Sequence, residues 1–351
     1  MVTERSDVEA RRADELSNCS FVRTVLMLIV VLYHAMLCWD GKWFSAVTVE
    51  PEPVFAALTS WINRFHIYGF VLVSGYVFHF TQYERGRKQS FASLMRSKAR
   101  RLLIPYAFVL LAWVIPHQVY FMHPGPVQLI RDYLLAESPC QLWFLWMLVI
   151  VFAFYGVLGD FLRKHDAAGL LAVGAMYGVG LVGGKLLPNV FQIWTGCRYI
   201  LYFWIGFKLR QHGTQRLRKI PALCWLALHV GLFLLWQHVP QKGGILIRLV
   251  NIGLPILINV VGAVMAFMVL QWLAGMLRWQ GSRAFGCLQR YAMPVYLFHQ
   301  QVVYWLIWLL NGKLPSGVHL LVNFAGALVI SMVISWVLMR FRPTRMLIGE
   351  K

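Results

Sequence analysis

Apolar blocks of membrane-span length constrain this chain more than any other feature. Stretches such as 21–38, 102–121 and 249–273 run almost free of charge, with short charged stretches between them. A helix needs ~20 apolar residues, within a range of ~17–25, to cross the hydrocarbon core of a bilayer. Hydrophobic residues fill 59% of the 351 positions and charged residues 13%, against about a quarter charged in a soluble domain. The expected fold class is therefore all-α, a polytopic integral membrane protein.

Ten spans are expected, at roughly 21–38, 63–82, 102–121, 142–160, 168–186, 190–208, 220–238, 249–273, 292–310 and 318–339. Residues 1–20 would then form an N-terminal cytoplasmic segment, 21–339 the transmembrane domain and 340–351 a cytoplasmic tail. The segment from Gly184 to Asn189, GKLLPN, breaks the chain between the fifth and sixth spans, and Arg198 interrupts the sixth. Gly174, Gly178, Gly180, Gly183 and Gly184 give the fifth span small-residue spacing, read as close helix packing.

Loop charge sets the orientation. With the N-terminus inside, cytoplasmic segments hold 25 of the 33 Lys and Arg residues and outer segments hold 8. Positive charge is retained on the cytoplasmic side during insertion, so N-in and C-in is expected. The densest cluster is Arg85, Arg87, Lys88, Arg96, Lys98, Arg100 and Arg101. A formal charge of +19 distributed over alternate loops, not one face, argues against a nucleic-acid partner. The six cysteines form no CxxC pair, so no metal site is expected. The first twenty residues mix Arg5, Arg11 and Arg12 with Glu4, Asp7, Glu9, Asp14 and Glu15, which does not read as a signal peptide.

Polar residues inside such spans mark the chemistry. Arg23 and His34 stand eleven apart, ~3.06 helical turns, so their side chains point within ~20° of each other and ~16.5 Å apart along the axis. Arg23 would sit at the cytoplasmic end of the first span and His34 at or past mid-membrane. A histidine at that depth is costly unless it faces the bundle interior or water. Ser74 and His299 fall at comparable depth in their own spans, and Gly75 permits close approach of another backbone or a ligand. Lys98, Arg100 and Arg101 precede Pro105 at the cytoplasmic mouth, where guanidinium groups suit phosphate. Neutral imidazole can take a proton from a hydroxyl as it attacks a carbonyl. The spans are nearly free of carboxylates, which a proton-coupled transporter more typically carries.

These residues lie in a recurring set of motifs. Arg23 and His34 form R-x10-H within VLYHA. They are followed by Phe70-x-x-x-Ser74-Gly75-Tyr76, Lys98-x-Arg100-Arg101-x-x-x-Pro105-Tyr106 and Leu142-Trp143-Phe144-Leu145. Tyr202-Phe203-x-x-Gly206 and Pro294-Val295-Tyr296-Leu297-Phe298-His299 complete the set. In this order the chain resembles the integral-membrane acyltransferase 3 family, which O-acylates envelope carbohydrates, from about Phe21 to Met339. The resemblance implies a ten-span bundle that moves acetyl from cytoplasmic acetyl-CoA to a sugar hydroxyl at or beyond the outer membrane face. It implies Arg23 and His34 as the essential pair, and Lys98, Arg100 and Arg101 as the basic motif that engages CoA. Ser74, Gly75 and His299 would line the acyl path. No fused hydrolase-like domain is expected after the tenth span. The compact form is similar to stand-alone enzymes that modify exopolysaccharide, capsule, O-antigen or lipid-linked oligosaccharide, with glycan-assembly proteins as candidate partners. The expected location is the inner, cytoplasmic membrane. The alternative reading is an exporter or flippase of polysaccharide units, with the histidines lining a polar path and aromatic residues stacking on sugars.

Overall fold

A computed structural model of the chain describes residues 2–40, 47, 49–86, 88–277, 279 and 282–350. Arg87 of the basic cluster lies outside the described residues. The fold is all-α, and no strand occurs among the described residues. The principal helices are α1 (Val2–Met36), α2 (Pro53–Ile62), α3 (His66–His79), α4 (Phe91–Met122), α5 (Trp143–Lys164) and α6 (Asp166–Leu186). They continue with α7 (Ile193–His212), α8 (Ala222–Gln237), α9 (Ile245–Met276), α10 (Arg283–Leu310), α11 (Ser316–Met339) and α12 (Arg342–Leu347). Among the described residues, six helical stretches are long and apolar enough to cross a membrane: Arg12–Asp40, Phe91–Met122, Cys140–Lys164, Asp166–Leu186, Ile245–Met276 and Ser316–Met339. The protein is thus a multi-pass membrane protein. The other four predicted spans also fall on helices. Of these, α8 is apolar but has only 16 residues; α3 is short before its geometry changes, and α7 and α10 carry more polar residues.

Prolines shape α4. π-turns occupy Ala99–Leu103 and Leu110–Val114, and Pro105 and Pro116 each follow two residues later. A proline ring has no N–H to give the carbonyl four residues back and clashes with it. Widening the preceding turn to the π pattern accommodates that loss without ending the helix.

The chain divides into two compact units. The first comprises Met1–Val30, Ala57–Arg87 and Tyr202–Arg290; the second comprises Val31–Ala56, Lys88–Leu201 and Tyr291–Lys351. In the first unit α3 packs on α9, and α8 packs on α9. There α3 and α7 cross backbone to backbone: a Cβ on Gly75 would lie 2.0 Å from the Phe203 carbonyl oxygen, and one on Gly206 would lie 1.8 Å from that of Leu72. No side chain larger than hydrogen fits either place.

Glu15 ties the same unit together. α1 runs without a break through residue 20, so the N-terminal segment and the first span are one helix. Its buried Glu15 accepts hydrogen bonds from the Tyr76 hydroxyl at 2.7 Å, from Thr214, and from Arg218 Nε at 2.8 Å. Arg210 forks onto Glu84 through Nε at 2.9 Å and a second nitrogen at 2.5 Å, and also reaches the Arg12 carbonyl and the Tyr76 hydroxyl.

In the second unit α4 packs on α5, where Gly156 admits Phe91 and Leu94. α6 packs on the start of α7 through Gly180 and Gly183, which meet Trp194 and Arg198, while Gly174 and Gly178 have nothing within contact range. Small-residue packing therefore involves only part of the glycine series. The break after α6 contains Phe191 and Gln192 at positive φ. Gln192 Nε2 donates to the Ala136 and Glu137 carbonyls, at 2.7 and 2.9 Å, which holds this turn against the one before α5. The tail is not loose: α12 packs on α4, with Gly349 close to the Arg101 carbonyl.

Candidate active site

Of the eight site residues expected from sequence, the second unit contains His34, His299, Lys98, Arg100 and Arg101, and the first contains Arg23, Ser74 and Gly75. His34 lies in the last turn of α1 and is partly buried. His299 sits in α10 with 0% exposure. Though 265 positions apart, they meet: His299 Nε2 lies 3.2 Å from His34 Nδ1, with ring centroids 4.9 Å apart and planes at 71°.

The surroundings of His299 explain its placement. Gln141 Nε2 donates to the Leu297 carbonyl at 2.7 Å, and the Gln141 and Gln301 amides bond reciprocally at 2.7 and 3.0 Å. The Tyr296 hydroxyl donates to the Gln141 carbonyl, and Trp113 Nε1 donates to that of Phe298 at 3.3 Å. Gln141 directly follows Cys140, which has a positive φ of 50°. The strained turn before α5 thus delivers an amide into α10 at the level of the histidine pair. Asn323 of α11 donates to the Ala35 carbonyl at 3.3 Å, next to His34. Gln141, Gln301 and Asn323 were not expected from sequence. The run His299-Gln300-Gln301 within a predicted span was the available sign, since three adjacent polar residues in a membrane helix need partners.

The basic motif separates into different directions. Lys98 Nζ lies 3.8 Å from the centre of the Phe152 ring. Arg100 shares a groove of about 660 Å³ with Arg96, Leu103, Ala107, Leu111 and Leu347. Arg101 is exposed. In the first unit, Arg23 is partly buried and its Nε lies 3.4 Å from the Cys19 carbonyl. Ser74 donates to the Phe70 carbonyl of its own helix at 2.9 Å. The close approach that Gly75 permits is filled by the α7 backbone. Among the described residues no group of three or more His, Cys, Asp or Glu could hold a metal ion.

A family model described as an acyltransferase domain matches residues 19–340. The chain belongs to the acyltransferase 3 family. The match covers nearly its whole length, which makes this a membrane acyltransferase. No curated protein and no solved structure matches it.

Proposed function

We propose that this acyltransferase carries acetyl from cytoplasmic acetyl-CoA to a hydroxyl of an envelope or exported carbohydrate, working from the inner membrane with ten spans and both termini inside. The observation that carries this reading is the His34–His299 pair, in which a partly buried imidazole bonds to a fully buried one. Such an imidazole is equipped to take a hydroxyl proton during attack on a thioester. Arg23 stands at the other end of the same α1 stripe, ~16.5 Å along the axis, on the side where the donor enters. Arg100 and Arg101 hold CoA phosphates, for which guanidinium forks are suited, while Lys98 supports their helix from Phe152. In this reading Ser74 and Gly75 shape α3, the helix that carries them.

Replacing His34 with Ala is expected to abolish O-acetyl signals in NMR spectra of surface glycans while protein levels hold. Wild-type acetylation in that variant would overturn the assignment. Deleting the gene is expected to leave the polymer outside the cell without acetyl groups; polymer trapped inside would instead indicate export.

A further inference from the structure

The hydrogen-bond partners of His299 determine which nitrogen of His34 is basic. His299 Nδ1 lies 2.8 Å from the Tyr296 carbonyl oxygen and 3.1 Å from that of Val295. Carbonyl oxygens only accept, so Nδ1 carries the hydrogen, and in a neutral ring Nε2 then carries the lone pair. A doubly protonated ring would be a cation with 0% exposure, bonded only to backbone carbonyls on its Nδ1 side. The neutral form avoids that burial of charge. Nε2 of His299 faces Nδ1 of His34 at 3.2 Å. Two lone pairs do not face each other at that distance, so His34 Nδ1 is the donor.

We infer that His299 is a positioning residue that fixes His34 in its Nδ1–H tautomer and so makes Nε2 the basic atom of that ring. The α10 backbone is braced for the task. Side chains from outside the helix occupy the Leu297 and Phe298 carbonyls, while the Val295 and Tyr296 carbonyls receive the His299 ring. A partner on the other ring nitrogen is the usual means of setting an imidazole's tautomer and orientation. Here the partner is a neutral imidazole and not a carboxylate, which avoids placing an anion at membrane depth.

The consequence for the reaction rests on the acyltransferase reading above. Nε2 of His34 takes the acceptor hydroxyl's proton as the hydroxyl oxygen bonds to the thioester carbonyl carbon. The carbon–sulfur bond then breaks, and the departing thiolate collects that proton from Nε2. Ester and thiol are the products, and Nδ1–H remains bonded to His299 throughout.

The test uses full-length protein labelled with 15N-histidine in lipid nanodiscs, with the His34 signals assigned by comparison with His34→Gln. The wild type is expected to show His34 protonated at Nδ1 and unprotonated at Nε2. In His299→Phe the ring is expected to shift toward the Nε2–H form. His299→Gln, whose amide oxygen can still accept, is expected to keep the Nδ1–H form and also serves if the Phe variant fails to fold. In membranes supplied with acetyl-CoA, His299→Phe should lower kcat about 10–100-fold, by comparison with metal-ligating histidines that lose the partner orienting them, with KM for acetyl-CoA little changed. An Nε2–H His34 in the wild type, or one tautomer shared by the wild type and His299→Phe, would overturn the inference. Absence of any acetyl transfer by the wild type would instead count against the acyltransferase reading, because the NMR result stands without turnover.

Discussion

Glu15 and Glu84 show how single residues hold this protein's charged interior. Glu15 has 2% exposure and is paired with Arg218, whose side chain keeps 40%. Removing Glu15 takes the shared acceptor from the buried Tyr76 and Thr214 hydroxyls, at a cost of roughly 1–3 kcal/mol. Glu15→Ala is therefore expected to lower the thermal unfolding midpoint in detergent clearly, and Glu15→Gln, which keeps the hydrogen-bonding shape, to lower it less. Glu84 titrates. Burial pushes its carboxyl up, but Arg210 and His79 outweigh that and hold it below the ordinary glutamate range. A carboxyl lowered by folding adds stability that is full above the unfolded value, about 4.3, and is lost as pH falls through the folded one. As pH falls below about 4.3, the wild type should lose stability more steeply than Glu84→Gln, as read from unfolding midpoints measured from that value downward. Parallel profiles would show that the fork from Arg210 contributes nothing.

At the scale of elements, the α3–α7 crossing is the least tolerant contact. Gly75→Ala and Gly206→Ala place a methyl group against backbone oxygen, and overpacking of a tight contact costs roughly 1–3 kcal/mol. Both variants are expected to accumulate poorly or melt early. Gly174→Ala and Gly178→Ala, which meet nothing, should be neutral or gain up to about 1 kcal/mol from helix propensity. Equal melting of all four would show that the crossing is not tight. The contrast also marks what was legible. That Gly75 admits a close neighbour could be read from its place beside Ser74 in a span. Which neighbour enters could not, because one helix's sequence does not state which other helix lies against it.

At the scale of the whole molecule, loop charge makes the strongest statement. An enzyme reporter active only outside the cytoplasmic membrane should be active when fused after Lys313 and silent when fused after Lys351. Activity at Lys351 would reverse the proposed orientation. Helical class, membrane residence and the places where helices break were all legible, because hydrophobic run length, proline and glycine act within a few residues of themselves. The family was legible for the same reason, since each of its motifs lies within a short stretch of chain. Glu15 was read as part of a cytoplasmic N-terminal segment, and it is buried, because α1 extends the first span by many residues toward the N-terminus. A helical membrane acyltransferase, and the polar residues that interrupt its apolar runs, follow from the order of residues alone. That His34 meets His299, that Gln141 braces α10 and that the basic motif divides follow from how the helices pack. The reason is physical: in a bilayer, helix faces toward lipid and toward protein are both apolar, so composition cannot announce which faces pair.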